Sequence, residues 1–348
     1  MKKTVVGLLT LVLLAASFTA CGKKAGIPVA GSATAEDMLT LIPKNVQSVF
    51  VIDVHRGMNI PFVDKALKTG EEAEKYKEAI AKIGLDPQKD VYFAAIGIAQ
   101  TVDAEGKSIP QGAGVINLKY DPDKILEQIK KENPEIKEEV YEGVKIFTVP
   151  EKEGAPMFGA FLDASNAALG TEAGVKAVID VMKGKAESVV KNAEIMKLVK
   201  TGNTKALVWN ITTFTPEQIN KMTETTPMLA SLKSLQAATM YIDDKNKGLQ
   251  IEIKALSSDA AKNKEIADML TGFKALGAMG SSEKPEIGEF LNKIEISSSP
   301  DNVKLFVDMP EALLEKLGQD MEKQVKSKLE GLKPAEEPPA EDVVKEID

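Results

Sequence analysis

Past residue 35 the chain alternates between two hydrophobic periods, and the order of that alternation is its main structural signal. Ser48-Val49-Phe50-Val51-Ile52-Asp53-Val54 predicts a mostly buried strand. Helical spacing comes next over Phe62 to Leu67 and Glu71 to Ile83, and Gly84-Leu85-Asp86-Pro87 stops it, with Gly at C′ and Pro beyond. Val91 to Ile98 and Val115 to Leu118 predict two further strands, with a turn at 103–106. Asp121-Pro122-Asp123 opens a helix over Ile125, Leu126 and Ile129, because Asp suits the cap and Pro the first helical position. Short β segments are expected over Glu139–Tyr141, Val144–Val149, Met157–Leu162 and Ala167–Gly170, and a helix from Thr171 to Met182 closes the half.

The second half repeats this order loosely. Ala206 to Ile211 predicts a strand and Thr215-Pro216-Glu217 a helix start. Leu235 to Ile242 and Leu249 to Leu256 predict strands joined by a hairpin loop over 243–248. A long helix is expected over Ser258 to Leu276, a hairpin over Ile294–Ser297 and Val303–Asp308, and a last helix from Pro310 to Leu332 with Leu313, Leu314, Leu317, Met321, Val325 and Leu329 on one side. The shared succession is strand, helix, hairpin, helix, hairpin, helix. The expected fold class is α+β, with mainly antiparallel sheets, helices packed on one face, and two similar tandem modules at 36–190 and 191–332. A single continuous α+β domain is the competing reading.

The first residues obey another plan. Lys2 and Lys3 precede an uncharged apolar run from Thr4 to Ala20, with small residues before Cys21, the only cysteine of 348 residues. This is the layout of a secretory signal. Phe18-Thr19-Ala20-Cys21-Gly22 resembles the lipobox of bacterial lipoproteins. The resemblance implies removal of the signal peptide 1–20, a diacylglyceryl group on the Cys21 thiol, further acylation (palmitate) and attachment to a membrane. An uncleaved membrane helix and an ordinary signal peptide cut near Ala20 are the competing readings. Residues 21–35, the lipidated Cys followed by GKKAGIPVAGSATA, are expected to be a flexible tether. Residues 333–348 carry six acids, one lysine and three prolines from Pro334 onward, a composition expected to stay disordered.

The formal charge of the whole chain is −8. Removing residues 1–20 takes two lysines and no acids, so the mature chain stands at −10. Such a body is a poor match for nucleic acid, whose binding rests on neutralising phosphates, and for anionic lipid. Apolar residues make up 43% and aromatics 5%, so aliphatic and Met side chains must fill the core. With one Cys no internal disulfide is possible, and a body of this size does not need one.

Candidate chemistry is sparse. His55, the only histidine, comes after a predicted strand two residues beyond Asp53, so alternation places both on one face, where an Asp-oriented imidazole would serve as a general base. A surface histidine is the commoner outcome. One His and one lipid-bound Cys nearly exclude zinc. Ser188-Val189-Val190-Lys191 and Ser281-Ser282-Glu283-Lys284 match S-x-x-K, and Lys68-Thr69-Gly70 and Lys200-Thr201-Gly202 match K-T-G. Their order and spacing do not fit penicillin-recognising enzymes. No G-x-S-x-G, P-loop or H-E-x-x-H occurs. The 243–248 loop lacks the calcium-loop pattern, and Asn210-Ile211-Thr212 is a glycosylation sequon inside a predicted strand. Met222, Met228, Met240, Met269 and Met279 would line an adaptable groove or, more simply, fill the core.

The phrase Gly84-Leu85-Asp86-Pro87-Gln88-Lys89-Asp90-Val91, with the tandem α+β order, resembles uncharacterised envelope lipoproteins, a resemblance that implies location and no catalytic residues. The expected function is a membrane-anchored, non-enzymatic binding or structural lipoprotein of the cell envelope. It would face the periplasm or the cell exterior, on the outer membrane if the cell has two. It would need no cofactor, and its partners would be the membrane and an envelope protein or apolar ligand. A lipid carrier with an enclosed apolar cavity is the alternative, followed by an enzyme with a carboxylate- or serine-based site.

Overall fold

The twelve strands of the described residues belong to one sheet, and every pairing among them is antiparallel. The computed structural model describes residues 27–102, 108–149, 155–224, 227–282 and 284–318. The strands are β1 (Ser48–Asp53), β2 (Val91–Val102), β3 (Ser108–Leu118), β4 (Lys137–Tyr141), β5 (Val144–Val149), β6 (Met157–Phe161), β7 (Asn166–Gly170), β8 (Val208–Thr213), β9 (Ala237–Lys245), β10 (Gly248–Leu256), β11 (Ile294–Ser299) and β12 (Asn302–Pro310). Across the sheet they run β11-β12-β10-β9-β8-β1-β2-β3-β7-β6-β5-β4. The protein is therefore α+β with an antiparallel sheet.

The strand order has an internal correspondence. Outward from the centre, one side reads β1, β2, β3, β7, β6 and the other β8, β9, β10, β12, β11, with β5 and β4 added at the far end of the first. The two leading strands pair with each other at the centre, Val51 opposite Trp209 and Ser48 opposite Thr212. The halves thus share one continuous sheet and do not each close their own.

Local chemistry accounts for the elements. Asp121, Thr171 and Asp259 each cap a helix by accepting a backbone N–H three residues on. Thr215 and Gln218 form a reciprocal capping box. Gly84 ends the helix Gly70–Ile83 in the left-handed region, at φ 70°. β3 starts earlier than the sequence predicts. Pro110 lies in a stretch that pairs only with β2, since β7 begins pairing at Ala113, so the missing proline N–H faces an unpaired edge. The β9–β10 connection is tighter than predicted. Pairing continues to Lys245 opposite Gly248, and Asn246 and Lys247 form a two-residue turn with φ of 53° and 58°. Asp243 and Asp244 are strand residues.

Ordered packing also begins before Glu36. The carbonyl of Pro28 accepts from Asn166 at 2.6 Å and from Asn117 at 3.4 Å, and Val29 to Ala33 form a turn. The buried asparagines bind a segment whose Gly/Ala-rich sequence reads as a tether, so residues 28–35 belong to the body. The final helix begins at Glu311. Its expected continuation from 319 to 332 lies outside the described residues, as do the turn at 103–106, the signal segment, Cys21 and the acidic tail.

Alternation along the strands separates two faces. One carries a continuous core: Val49 and Val51 of β1, Trp209 and Ile211 of β8, Ala95, Val115, Ala168, Ala160 and Ile146. The 3-10 turn Asp37–Leu41 and the helices Glu172–Met182 and Ala193–Thr201 cover it. Close approach there needs glycine, because a Cβ on Gly174 would stand 2.3 Å from the carbonyl oxygen of Gly112 in β3.

Among the described residues, the packed clusters of the opposite face lie toward its two ends. At one, Ile125 of the helix Pro122–Glu132 and Leu85 pack on Ile116, Leu118, Phe147, Phe161 and Leu169. At the other, the helix Ala260–Met279 packs on Val303, Ala255 and Ile296, while Phe290, Leu313, Leu314 and Leu317 pack on Val307, Met309 and Ile251. Helices lie on both faces in each half: Glu172–Met182 and Ala193–Thr201 on the closed core, Pro122–Glu132 and Ala260–Met279 on the opposite face.

Candidate binding surface

Between those two covered ends lies the middle of the sheet. β1 is apolar on both sides, so Val49 and Val51 enter the closed core while Phe50 and Ile52 point to the other face. Register extends that second set outward. Ile96, Phe50, Asn210, Met240, Ile253 and Leu305 stand opposite one another in a single row across β2, β1, β8, β9, β10 and β12. A parallel row holds Ala94, Ile52, Val208, Ile242 and Ile251. Phe50, Ile52, Ile96, Ile98, Met240, Ile242 and Ile251 are half-buried, and Ile253 is 36% exposed. Isolated exposed apolar side chains are ordinary, but contiguous ones mark interaction surfaces.

The row has one polar member, and it is satisfied. The Asn210 side-chain amide donates to Ser48 Oγ and to the carbonyl of Val49, both at 3.0 Å. Thr212 Oγ1 donates to Asn210 Oδ1 at 3.2 Å and lies 2.8 Å from Ser48 Oγ. Ser48 and Thr212 line an open cleft of about 480 Å³, together with Gln47, Ile98, Gln100, Thr213, Phe214, Gln218 and Lys221. Lys221 is the only charged side chain of that lining. The cleft offers hydroxyls, amides and one ammonium beside an apolar floor. No carboxylate or imidazole of the lining stands by the Ser48 hydroxyl to take its proton.

The sequence-derived candidates fall elsewhere and stay apart. The helix Val54–Met58 starts directly after β1, so strand alternation fails for Asp53 and His55. The Asp53 carboxylate caps that helix, accepting from the Arg56 N–H at 2.9 Å, while the exposed His55 ring lies 5.4 Å from that of Tyr92. Arg56, unremarked in the sequence, is the more connected neighbour. Its guanidinium pairs with Asp243 and Asp244 of β9 and donates to the Lys205 carbonyl at 2.9 Å. Those aspartates therefore hold the two halves together. Ser281 donates its hydroxyl to the Ala278 carbonyl at 2.7 Å at the end of one helix, whereas Ser188 forms an isolated antiparallel bridge with Pro43. Asn210 is buried and internally bonded. Met240 stands in the apolar row, Met269 is packed with Ile266, and Met279 is 80% exposed. The side chains of Met222 and Met228 lie outside the described residues.

Ionisation is perturbed in structural networks away from the cleft. Burial pushes the Asp163 carboxyl up, partly offset by N–H groups of Ser165 and Asn166. Burial also acts on Asp86, but hydrogen bonds from Lys89 and Tyr76 outweigh it and hold its carboxyl below the usual range. Among the described residues no group of three or more His, Cys, Asp or Glu is placed to hold a metal, and no helix is long and apolar enough to cross a membrane.

No family model and no curated protein matches the sequence. Among solved structures, two crystal forms of TP0453 are similar. Form III has 10% identity and a TM-score of 0.46 and covers 81% of this chain and 97% of that one. Form I has 8% identity and a TM-score of 0.44 and covers 81% and 96%.

The row Ile96–Phe50–Asn210–Met240–Ile253–Leu305 could not be located from sequence, because it depends on which helices cover which strands. Its one local signal is the apolar character of both faces of Ser48–Asp53.

Proposed function

We propose that this protein is a non-enzymatic binding protein of the bacterial cell envelope, held at the membrane through Cys21, and that the uncovered middle of its sheet takes an apolar surface of an envelope partner. The observation that carries this reading is the partly buried row through Phe50, Met240 and Ile253, running across six adjacent strands, with Ile253 its exposed member. At the strand spacing of about 4.8 Å the row is roughly 24 Å long, enough for a helix or loop of another protein and longer than a small polar substrate requires. The cleft at Ser48 and Thr212 supplies neutral hydrogen-bonding groups at one margin. The carrier reading asks for an enclosed apolar cavity, and the cleft at Ser48 and Thr212 is open. An apolar ligand lying along the row with a negative end at Lys221 is the form in which that reading stays in play.

The experiment compares what co-purifies with the native, detergent-extracted chain and with two variants. Ile253→Asp puts a charge on the row, and Glu252→Lys reverses one on the other face of the same strand. A protein retained by wild type and Glu252→Lys but lost from Ile253→Asp supports the proposal. A lipid with that pattern supports the carrier, and identical profiles for all three overturn both.

A further inference from the structure

The two outer strands of the sheet are guarded unequally. β4 carries Lys137, Glu138 and Glu139 in succession, and Glu138 is held by Lys130 at 2.5 Å and by Lys145 at 3.6 Å. Charges of this kind keep a free edge from pairing with another chain. β11, at the other end of the sheet, reads Ile294-Glu295-Ile296-Ser297-Ser298-Ser299. It has one charge, no proline and an unbroken register with β12. Glu295, Ser297 and Ser298 are exposed.

The register fixes which backbone groups of β11 are free. Ser299 and Asn302 close the hairpin around a two-residue turn, so their N–H and C=O groups face each other. Alternation then turns the backbone groups of Ser297 and Glu295 toward Lys304 and Phe306, and those of Ile294, Ile296 and Ser298 away from β12. One contact agrees with this direction: the Ile294 carbonyl accepts from Lys274, on the helix Ala260–Met279, at 2.7 Å. Among the described residues nothing bonds the outward N–H and C=O groups of Ile296 and Ser298. The free stretch is bounded by the Lys274 contact at Ile294 and by Pro300, which has no N–H to offer. Ser297 is its midpoint.

We propose that β11 pairs with β11 of a second copy of this chain, antiparallel, about a two-fold axis at Ser297. Ile296 then stands opposite Ser298 of the second copy and Ser298 opposite Ile296, each pair exchanging two backbone hydrogen bonds. Ser297 stands opposite its own counterpart, and Glu295 opposite Ser299, so no like charges meet. A second copy is the occupant because this edge is complementary to itself under that rotation, and a two-fold contact closes. Pairing β11 with β4 of another copy would set the serines against Lys137, Glu138 and Glu139 and leave an open string of subunits. Opposite residues of an antiparallel pair share a face, so the rows through Phe50 and Ile253 of both copies lie on one side of the joined sheet.

The test uses the purified chain carrying Cys21→Ala, which leaves only introduced thiols. Ser297→Cys is compared with Glu295→Cys after mild oxidation. Opposite residues in a non-hydrogen-bonded pair bring their Cβ atoms to about 4.5–5.5 Å, near the separation in a disulfide. Ser297→Cys is therefore expected to give a disulfide-linked dimer several-fold faster than Glu295→Cys, whose thiol faces Ser299. Joining Glu295→Cys with Ser299→Cys should restore the linkage. By sedimentation velocity, the chain without thiols should run as two copies when concentrated and as one on dilution. Ser298→Pro, which removes an outward N–H and leaves the β12 ladder whole, should run as one throughout. Equal linkage at 295 and 297, no linkage at 297, or linkage of Ser297→Cys only to a different protein would overturn the pairing. If Ser298→Pro fails to fold, the linkage pattern of the cysteine variants, which adds no proline, decides alone.

Discussion

The side-chain amide of Asn166, at the start of β7, donates to the carbonyl of Pro28 at 2.6 Å and so ties the N-terminal segment to the far side of the sheet from the β1–β8 centre. Asn117 donates to Asn166 Oδ1 at 3.0 Å and to the Ser165 carbonyl at 3.2 Å, and both asparagines are fully buried. With Pro28 fixed, only the residues from 22 to 27 separate Cys21 from the body. Fully extended they reach about 20 Å, so a lipid on Cys21 would bring the Pro28 edge close to the membrane.

Asn166→Ala removes the donor and leaves a buried Pro28 carbonyl short of a partner. A loss of about 1–3 kcal/mol is expected, read from denaturant unfolding followed by the single, fully buried Trp209. Hydrogen exchange should rise across 28–35 and not in β8 or β9. Unchanged stability and unchanged exchange would show that the Pro28 contact is incidental.

Asp163 sits in the same network, and its carboxyl is pushed above the ordinary value of 3.8 by burial. A carboxyl with a raised folded-state pKa binds its proton more tightly when folded, so it favours the folded state at low pH. That contribution is lost as pH climbs from the unfolded value through the folded one. Stability should therefore decline through this group as pH climbs above the ordinary value of 3.8, and Asp163→Asn should flatten that decline while keeping an acceptor for the Ser165 N–H. Parallel pH profiles for the two chains would contradict this.

Arg56 joins the helix Val54–Met58 to Asp243 and Asp244 across the β1–β8 boundary. Arg56→Ala should cost about 1.5–3 kcal/mol, the range for hydrogen bonds to charged groups. Arg56→Lys should recover only part, since an ammonium cannot fork to two carboxylates and a carbonyl together. His55→Ala, one position earlier and exposed, should stay within about 0.5 kcal/mol. Equal effects at 55 and 56, measured by thermal melts, would refute the assignment of the clamp to Arg56.

Most strands and helices were legible because each carries its own signal: the caps at Asp121, Thr171, Thr215 and Asp259, the Gly84 stop, and the alternation over Ala237–Ile242. Where the reading failed, a longer-range contact decided. Pro110 hid the first half of β3 until its one-sided pairing was known. Asp53 and His55 looked like a same-face pair because nothing local announces that β1 ends in a cap. The buried asparagines that hold Pro28 lie far from it in sequence, so residues 28–35 looked like a tether. The candidate surface depended most on tertiary context, since half-exposure of Phe50 or Ile253 depends on where helices are missing.

Cys21→Ser addresses the anchor. One acyl chain holds a protein to a bilayer only marginally, whereas two give stable attachment. The variant is expected to take up no labelled palmitate in its native host, to escape cleavage before residue 21, and to appear in the soluble fraction wherever it is processed at another site. Continued labelling, or cleavage at the same bond, would return the assignment to an uncleaved helix or an ordinary signal peptide.

The most direct measurement of the central claim is photo-crosslinking in intact cells, with a benzophenone side chain at position 253 or, as control, at 252 on the opposite face of β10, in the full chain with Cys21 intact. A discrete adduct to another envelope component at 253 that is absent at 252 is the predicted result. No adduct at 253, or the same adducts at both positions, would contradict a binding role for the row.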